Sequence, residues 1–542
     1  MKFGKTMFFC AALLAATVSS AEVKLPRVFS DGAVLQCGKP LKIWGWASPD
    51  SEISVSFAGK SATARAGKSG EWSVQLPPLP ASKTPRKIEI AENGRAAKAV
   101  SDVLVGEVWV LGGQSNMAWP LLPTTDGKAA TERANYPAVR CFKKITSELP
   151  DTFLEHKFGT FERTSLCSLD LARAPQKDSP EGSVWRAATP KNVPLWSAIG
   201  FYFAEKLAAD LDVPVGLVFT PIGGSPMAAW IPESACAGNG FLEMRKKSHA
   251  IDMRKWDSGG YEKAFAEYSA KVEKRKSELA EWKRGGKKPE SWGGYRAYVP
   301  PSKDSPFSAS ATPFYNFNAK VAPLAGYAAR GILWYQGESD ASGASLCAFE
   351  SQLETVVRVW RECFADPNLP FIQAQLSSYG KSANWAEVRA AQLAVSERTE
   401  NMYTVCTLDI GDKNDVHPRN KTDVGLRMEC VAMACVYGKR GASPLSPIFE
   451  SAKFGGASAE VSVDSFGRGL KADGALRGFE ASVGGKWVAA DAALDGGKIV
   501  VSSRNGGKID GVRYLWKQFP QDDVCLRNSD GLPLFPFSVS VK

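Results

Sequence analysis

The chain has 542 residues and a formal net charge of +10, with 67 Lys and Arg against 57 Asp and Glu. That length exceeds one compact domain, so about two or three domains are expected, and 44% hydrophobic residues suffice to bury real cores. Three histidines leave almost nothing for a His/Cys zinc site. The densest basic run, 271–288, alternates Lys with Glu, which disfavours a nucleic-acid partner.

The N-terminal segment "MKFGKTMFFCAALLAATVSSA" has lysines, then an apolar stretch, then small residues. This pattern is typical of a secretory signal peptide cleaved after Ala21, and its apolar core is too short to span a bilayer stably. We therefore expect a secreted or periplasmic protein without membrane insertion. Eleven cysteines without a CxxC pair indicate mostly buried thiols, and no disulfide pairing follows from them.

Residues 22–100 consist of short alternating segments separated by Gly, Pro and Asp, which predicts a small N-terminal β module of the sandwich type. From 101 to 444 apolar strands alternate with amphipathic helices, which predicts a parallel sheet with helices on both faces. Residues 236–312 interrupt this alternation with a Lys/Glu-rich helix (about 261–284) and a Pro/Ser-rich loop. Strands and Gly turns return from 445 to 542 as a C-terminal β module.

Four of the predicted strands end in glycine-rich or polar motifs. These are "LGGQSNM" (111–117), "PIGGSP" (221–226), "WYQGESD" (334–340) and "GDKNDVHPRN" (411–420). The carboxyl ends of parallel strands share one edge of the sheet, where ligands bind in such folds. We therefore expect the four motifs to form one site.

Acyl transfer needs an activated hydroxyl, a base, a group that orients the base, and oxyanion donors. Ser115 is the candidate nucleophile, His417 the base, and Asp415, two residues before it, the orienting group. The candidate oxyanion donors are the backbone N–H groups of Ser115 and of Gly223 or Gly224, together with the side-chain amide of Gln336. Position 117 is Met, so this is not the G-x-S-x-G elbow of α/β-hydrolases.

In order and spacing, "GQSNM", "GGSP", "WYQGESD" and "DVHPRNK" resemble the sialate O-acetylesterase family, and the resemblance extends over nearly the whole chain after residue 21. It implies an SGNH-type hydrolase with a flavodoxin-like three-layer α/β/α sandwich, and the same roles for Ser115 and His417. Many SGNH hydrolases have Asp three residues before the His, where this chain has Asn414. Asp415 is therefore our choice, with a backbone carbonyl of Asn414 or Asp415, or the Asp412 side chain, as alternatives.

Four further side chains beside these motifs are expected to bind substrate or support the site: Gln114, Asn116, Glu338 and Trp119. Trp119, Trp230 and Trp334 fit either sugar stacking or core packing. His156 and His249 are read as surface residues. Asp409, Asp412 and Asp415 lack the defined spacing of a metal-ligand set, so we expect neither metal nor cofactor.

The motifs and the N-terminal segment predict an exported serine esterase, and the resemblance implies that it removes O-acetyl groups from sialic acid or related glycans through an acetyl-enzyme. Nothing in the four motifs separates this from an esterase of acetylxylan or another polysaccharide. A protein of another class, a glycan binder that has lost catalysis, is the second alternative. The expected partner is an O-acetylated carbohydrate, and the oligomeric state is left open.

Overall fold

A computed structural model describes residues 22–144, 173–286, 301, 303, 305–307, 311–381, 384–439 and 445–541. The predicted signal peptide, His156 and much of the Pro/Ser-rich loop lie outside the described residues. Within these ranges, no helix combines the length and the apolar composition that crossing a membrane requires. The nine cysteines of the described part are free thiols, five of them buried.

The strands of the first four-fifths of the chain are β1 (Val34–Gln36), β2 (Leu41–Trp46), β3 (Glu52–Phe57), β4 (Lys60–Arg65), β5 (Glu71–Leu76), β6 (Ser82–Glu92), β7 (Arg95–Gly113), β8 (Tyr136–Lys144), β9 (Ser183–Ala188), β10 (Val215–Phe219), β11 (Gly331–Tyr335), β12 (Phe371–Ala374), β13 (Ser378–Tyr379), β14 (Met402–Val405) and β15 (Gly411–Asp412). The α-helices of the described residues are α1 (Ser115–Ala118), α2 (Gly127–Arg133), α3 (Ala198–Leu211), α4 (Gly240–Lys255), α5 (Tyr261–Lys283), α6 (Gly343–Cys347), α7 (Phe349–Cys363), α8 (Trp385–Arg398) and α9 (Thr422–Val431).

The central sheet has the strand order β14-β12-β11-β7-β10-β8-β9. All neighbours in it are parallel except β8 and β9, which pair antiparallel at one edge. The sheet is therefore mixed, which corrects the expectation of a purely parallel one. In the middle strand β7 every residue from Val103 to Gly113 is buried, as both faces of a central strand must be.

Helices cover both faces of this sheet. Leu111 of β7 points at Gly200 of α3, where even a methyl group on the glycine would lie 2.6 Å from it. The next residue, Gly112, faces Trp360 of α7. Consecutive residues of a strand point to opposite faces, so α3 and α7 lie on opposite sides of β7. Helix α9 packs against α3, and α8 packs against α7.

The N-terminal strands are continuous with this sheet. The first part of β7 pairs antiparallel with β6, and its later residues pair with β10 and β11. One strand therefore runs across residue 100, where the sequence predicts the end of the N-terminal β module. Strands β2 and β5 form a separate two-stranded sheet, and the N-terminal strands share one apolar core with the α/β region. The domain boundaries at 100 and 444 stay predictions.

The last hundred residues form mostly antiparallel β structure with its own apolar core. Its strands are β16 (Ile448–Gly455), β17 (Ser458–Asp464), β18 (Leu470–Ala472), β19 (Phe479–Val483), β20 (Lys486–Asp495), β21 (Lys498–Ser503), β22 (Ile509–Tyr514), β23 (Leu526–Asn528) and β24 (Phe537–Ser540). Seven of these strands form one sheet, in the order β16-β17-β21-β20-β19-β22-β24. Leu408, which follows β14, contributes to this second core, so the two regions pack together.

Candidate active site

Ser115 lies where strand β7 ends and the short helix α1 begins. Gly113 makes this turn possible, because its φ of +112° is a conformation that disfavours side chains. A Cβ at this position would also lie 2.1 Å from the Tyr335 carbonyl oxygen of the neighbouring strand. Gln114 N–H donates to that same carbonyl at 2.8 Å, which fixes the serine against β11. Ser115 is itself 7% exposed, so only its outer edge meets solvent.

His417 meets Ser115 across the carboxyl edge of the sheet. The His417 Nε2 atom lies 2.8 Å from Ser115 Oγ, which is hydrogen-bond distance for a base and its nucleophile. The Trp119 ring stacks on the imidazole, with 4.6 Å between the ring centroids and 22° between the planes. Trp119 is 3% exposed, so it supports the histidine and offers no open face to a sugar.

Asp415 lies behind the same histidine ring. Its Oδ1 atom is 3.4 Å from His417 Nδ1 and accepts a hydrogen bond from the His417 backbone N–H at 2.9 Å. These contacts with His417, together with Arg419 at 3.6 Å, hold the pKa of Asp415 at about 2. Asp412 instead accepts bonds from the backbone N–H groups of Asn414 and Asp415, which shapes the turn. The structure therefore brings Asp415 to the ring, and Asp412 to the loop backbone.

Asn116 connects three strand-end loops. Its Nδ2 donates to Glu338 Oε1 at 2.6 Å and to the Val416 carbonyl at 3.0 Å, and its Oδ1 accepts a bond from the Lys421 ammonium. Gln114 adds a weaker link, since its Oε1 accepts from the backbone N–H groups of the Glu338 loop at 3.3–3.4 Å. The loops after β7, β11 and β14 are thus bound to one another directly beneath Ser115.

Glu338 is the titratable member of this network. Burial raises the pKa of its carboxyl group, and the bond from Asn116 opposes that shift only in part. Its Oε2 atom is shielded from solvent and has no hydrogen-bond partner among the described residues. The carboxylate therefore supports Asn116 from below.

Several known carbohydrate esterases are similar to this chain. A family model described as "Carbohydrate esterase, sialic acid-specific acetylesterase" matches residues 237–433, a range that includes Glu338, Asp415 and His417. The chain is 23% identical to the sialate O-acetylesterase of Rattus norvegicus over 92% of its own length and 91% of the relative's. It is 25% identical to the Homo sapiens sialate O-acetylesterase over 75% and 70% of the two lengths.

A crystal structure of a carbohydrate acetylesterase from Xanthomonas citri is similar over 96% of this chain and 100% of that one, with 29% identity and a TM-score of 0.74. The chain is therefore similar to sialate O-acetylesterases and to a carbohydrate acetylesterase along most of its length. It is a carboxylic ester hydrolase, and the resemblance stated from the motifs is confirmed.

Two of the predicted groups of oxyanion donors, Gln336 and the Gly223–Gly224 turn, form no hydrogen bond with Ser115 Oγ in the described structure. The Gln336 side chain is fully buried, and its amide nitrogen donates to the Asp340 carboxylate and, at 3.3 Å, to the Ser225 carbonyl. Gly223 and Gly224 follow β10, and the preceding residue Ile222 donates to the Gly113 carbonyl at 3.0 Å. This bond holds the loop beside the nucleophile turn. The donor roles of Gln336, Gly223 and Gly224 stay predictions.

Three charged residues of the esterase site escaped the sequence analysis. Lys421 bonds to Asn116, and the Arg419 guanidinium lies 4.6 Å from the Trp119 ring centroid. Asp340 is buried and accepts from Gln336, from the Ser345 hydroxyl and from Met227 N–H. Arg419 and Lys421 in "HPRNK" and Asp340 in "GESD" belong to the predicted motifs, but only the fold shows which groups they contact.

The remaining aromatic and histidine assignments are now decided for the described residues. Trp230 and Trp334 are wholly buried and pack against Trp360, so they belong to the core of the esterase. The prediction of a surface His249 is wrong. This histidine is half-buried among Phe307, Phe314 and Tyr315, and burial lowers its pKa.

The aspartates considered for metal binding do not form a common site. Asp409 forms ion pairs with Arg427 at 2.7 Å and Arg527 at 2.8 Å, and the latter arginine belongs to β23. Asp409 therefore joins the C-terminal strands to the α/β region. In the part of the chain that the structure describes, no group of three or more His, Cys, Asp or Glu side chains could hold a metal ion.

Proposed function

We propose that this protein is an exported serine esterase that removes O-acetyl groups from sialic acid or related glycans through an acetyl-enzyme. The observation that carries the proposal is the 2.8 Å contact between His417 Nε2 and Ser115 Oγ, with the Asp415 carboxylate behind the ring. This contact lies at the carboxyl edge of the sheet, where open α/β sheets bind their ligands.

The first half-reaction acetylates the enzyme. Ser115 Oγ attacks the acetyl carbonyl carbon while His417 Nε2 takes the hydroxyl proton, and the Asp415 carboxylate stabilises the imidazolium that forms. The tetrahedral intermediate then collapses, and the C–O bond to the sugar breaks. The leaving sugar oxygen takes the proton from His417, which leaves acetyl-Ser115 and a free sugar hydroxyl.

The second half-reaction restores the serine. A water molecule attacks the acetyl carbonyl, and His417 takes its proton. The ester bond to Ser115 breaks, and the proton returns to Ser115 Oγ as acetate departs. In both tetrahedral intermediates the oxyanion accepts hydrogen bonds from the N–H of Ser115, from the N–H of Gly223 or Gly224, and from Gln336. For Gln336 this role requires its amide to turn away from Asp340.

The proposed fold is the flavodoxin-like three-layer sandwich of SGNH hydrolases. Helices on both faces of the central sheet, and a nucleophile directly after its middle strand, support that assignment. The predicted signal peptide supports export. The sialic acid assignment rests on the names of the rat and human relatives. The Xanthomonas citri structure carries the broader name carbohydrate acetylesterase, which keeps acetylxylan and other acetylated polysaccharides as the second candidate.

Acetate release tests both the mechanism and the substrate. The protein from residue 22 onward is assayed on O-acetylated sialic acid and on O-acetylated xylan, with Ser115→Ala alongside. We expect release from the sialic acid, and a fall of about 10³-fold or more in the variant. Release from xylan alone would transfer the proposal to the second candidate. Equal activity in Ser115→Ala would overturn the mechanism.

A fluorophosphonate probe separates an esterase from a glycan binder that has lost catalysis. We expect the probe to label the wild-type protein and to leave Ser115→Ala unlabelled, because only a serine activated by His417 reacts. A wild-type protein that binds glycan but neither releases acetate nor reacts with the probe would overturn the assignment as an enzyme.

A further inference from the structure

The outer face of the small sheet formed by β2 and β5 carries two tryptophans. Trp44 lies opposite Ser73 and Trp46 opposite Glu71, whereas the alternate residues of both strands are buried. A sheet with one solvated face ordinarily has polar side chains there. Ser73 and Glu71 obey this rule, but Trp44 and Trp46 are partly exposed indoles on the same face, and Trp44 also packs on Phe29 with 4.7 Å between the ring centroids. Such aromatic exposure beside polar groups is typical of a binding surface.

These indoles line a cavity of about 580 Å³. The cavity is also lined by Gln176, Lys177, Ala322, Pro323 and Ala325. A second cavity, of about 560 Å³, shares Trp46, Gln176 and Lys177 with the first, so the two form one continuous groove. We call the surface lined by Trp44, Trp46, Gln176 and Lys177 the tryptophan groove.

The first cavity, beside the tryptophans, is the more positive part of the groove, because the second cavity adds Arg27, Asp178 and Glu181 and so one net negative charge. Three cations, Lys42, Arg65 and Lys177, and one carboxylate, Glu71, line the first cavity, which leaves an excess of two positive charges. Lys177 forms an ion pair with Glu71 and lowers the pKa of that carboxyl group. Lys42 places its ammonium 5.6 Å from the Trp44 ring centroid, and Arg65 bonds to a backbone carbonyl. Lys42 therefore brings one positive charge to the Trp44 ring.

The groove is remote from Ser115. Residues 322–325 precede β11 and so lie at the amino end of the central sheet, whereas Ser115 follows the carboxyl end of β7. A ligand in the groove is therefore not the ester under attack.

We propose that the tryptophan groove is a second carbohydrate site, which binds an acidic glycan. The C–H faces of sugar rings pack on Trp44 and Trp46, which are about 7 Å apart along the strand. Lys42 and Arg65 pair with the sugar carboxylates, and Gln176 and Ser73 are within the groove for hydroxyl groups. The choice of a glycan rests on the proposed function. Holding one part of a long chain here raises the effective concentration of acetyl groups at Ser115.

Binding is measured on the Ser115→Ala protein, so that the readout needs no turnover. The acidic probe is an oligosaccharide of α2,8-linked sialic acid without O-acetyl groups, and the neutral probe is a xylo-oligosaccharide. Titration calorimetry measures the affinity for each probe. We expect Trp46→Ala and Lys42→Glu to weaken binding of the acidic probe about tenfold or more, and the neutral probe to bind at least tenfold more weakly. The matched control is Trp487→Ala, since Trp487 is a partly exposed tryptophan on β20 with Arg513 4.6 Å from its ring.

Lys42→Glu guards against a folding artefact, because Lys42 is exposed and its replacement leaves the indoles in place. The proposal would be overturned if both groove variants kept the wild-type affinity for the acidic probe, or if Trp487→Ala lost as much affinity as they do. It would also be overturned if the neutral probe bound as tightly as the acidic one, or if the acidic probe did not bind at all.

A kinetic assay keeps this proposal separate from the esterase assignment. In the protein with Ser115 intact, Trp46→Ala is expected to raise KM for a long O-acetylated acidic glycan about tenfold and to leave kcat/KM for 4-nitrophenyl acetate unchanged. An unchanged KM for the long glycan would overturn the second site and leave the esterase intact. Absence of any Ser115-dependent hydrolysis would overturn the esterase, while the calorimetric result would still decide the second site.

Discussion

The two ends of the central sheet each hold a shielded glutamate, and the two glutamates have opposite surroundings. At the amino end, Glu107 of β7 accepts two bonds from Arg330, at 2.6 and 3.1 Å, and further bonds from Gln36, Cys37 and Tyr437 at 2.9–3.1 Å. Burial acts to raise the pKa of Glu107, but these partners outweigh it and the pKa is lowered. One guanidinium and three neutral donors therefore favour the charged form of Glu107.

At the carboxyl end, Glu338 has Asn116 as its one side-chain hydrogen-bond partner in the described structure, and one of its oxygens has none. Burial therefore prevails, and the pKa of Glu338 is raised. A carboxyl group in this state costs stability, and such groups concentrate where a reaction depends on them. The difference indicates that the surroundings at the amino end favour a charged glutamate, whereas those beside Ser115 favour a neutral one.

The largest effect should come from the base at the carboxyl end. We expect His417→Gln to lower kcat for acetate release by about 10⁴-fold, because the residual rate then depends on the oxyanion donors and binding alone. His249→Gln is the matched control, since His249 packs against the rings of Phe314 and Tyr315. An equal fall in kcat in the two variants would mean that His417 has no special role at the carboxyl edge of the sheet.

A smaller loss is expected from the orienting carboxylate. Asp415→Asn should lower kcat by about 10²-fold, less than for a fully buried triad aspartate, because the Asp415 side chain is 41% exposed and 3.4 Å from Nδ1. Asp412→Asn serves as its comparison, since Asp412 bonds only to the loop backbone in the described structure. A larger fall in kcat for Asp412→Asn would move the orienting role to that residue.

A substitution at the amino end should lower the free energy of unfolding and leave kcat unchanged. Arg330→Met removes the partner of the buried Glu107, and breaking such a pair costs about 3–5 kcal/mol in free energy of unfolding. Arg398→Met is the control, because Arg398 forms ion pairs with Glu350 and Glu354 on an exposed surface and should cost about 1 kcal/mol or less. Urea unfolding measures both variants, and kcat of the folded fraction should stay unchanged. A large fall in kcat for Arg330→Met would contradict the division between the two ends.

Much of the candidate site at the carboxyl edge could be predicted, because its residues lie in short sequence motifs. Ser115, Asp415 and His417 lie in motifs directly after apolar strands, and parallel strands bring such motifs to one edge. The stacking of Trp119 on His417 could not be predicted, since it joins residues that are 298 positions apart. Trp119 beside a polar motif looked equally suited to a sugar, and only its burial decides the matter.

The Glu107–Arg330 ion pair at the amino end could not be predicted either, because it also joins residues that are far apart in the sequence. Glu107 and Arg330 are 223 residues apart, and neither belongs to a motif. Each reads as an ordinary charged residue at the beginning of a strand. The pair exists because β7 and β11 are neighbours in the sheet, which is a property of the strand order and not of either segment. The half-buried His249 is similar, because its aromatic neighbours come from residues 307–315 and not from its own helix.

The smallest effect, and the most direct comparison of the two ends, is the pH dependence of two matched variants. In the wild type, the lowered pKa of Glu107 contributes stability that is present above its ordinary value near 4.5 and is lost as the pH falls through the folded-state pKa. The raised pKa of Glu338 has the opposite sign, since the wild type loses stability as the pH rises from about 4.5 through the folded-state pKa.

Urea midpoints between pH 4 and pH 7 therefore distinguish the two glutamates. Glu107→Gln should be less stable than the wild type at pH 7, and the deficit should shrink towards pH 4. Glu338→Gln should be more stable than the wild type at pH 7, because it removes a charge that burial disfavours and keeps an acceptor for Asn116, and this gain should also shrink towards pH 4. A deficit at pH 7 in both variants would mean that Glu338 is stabilised as a charged group in the same way as Glu107, and that the carboxyl edge gives up no stability there.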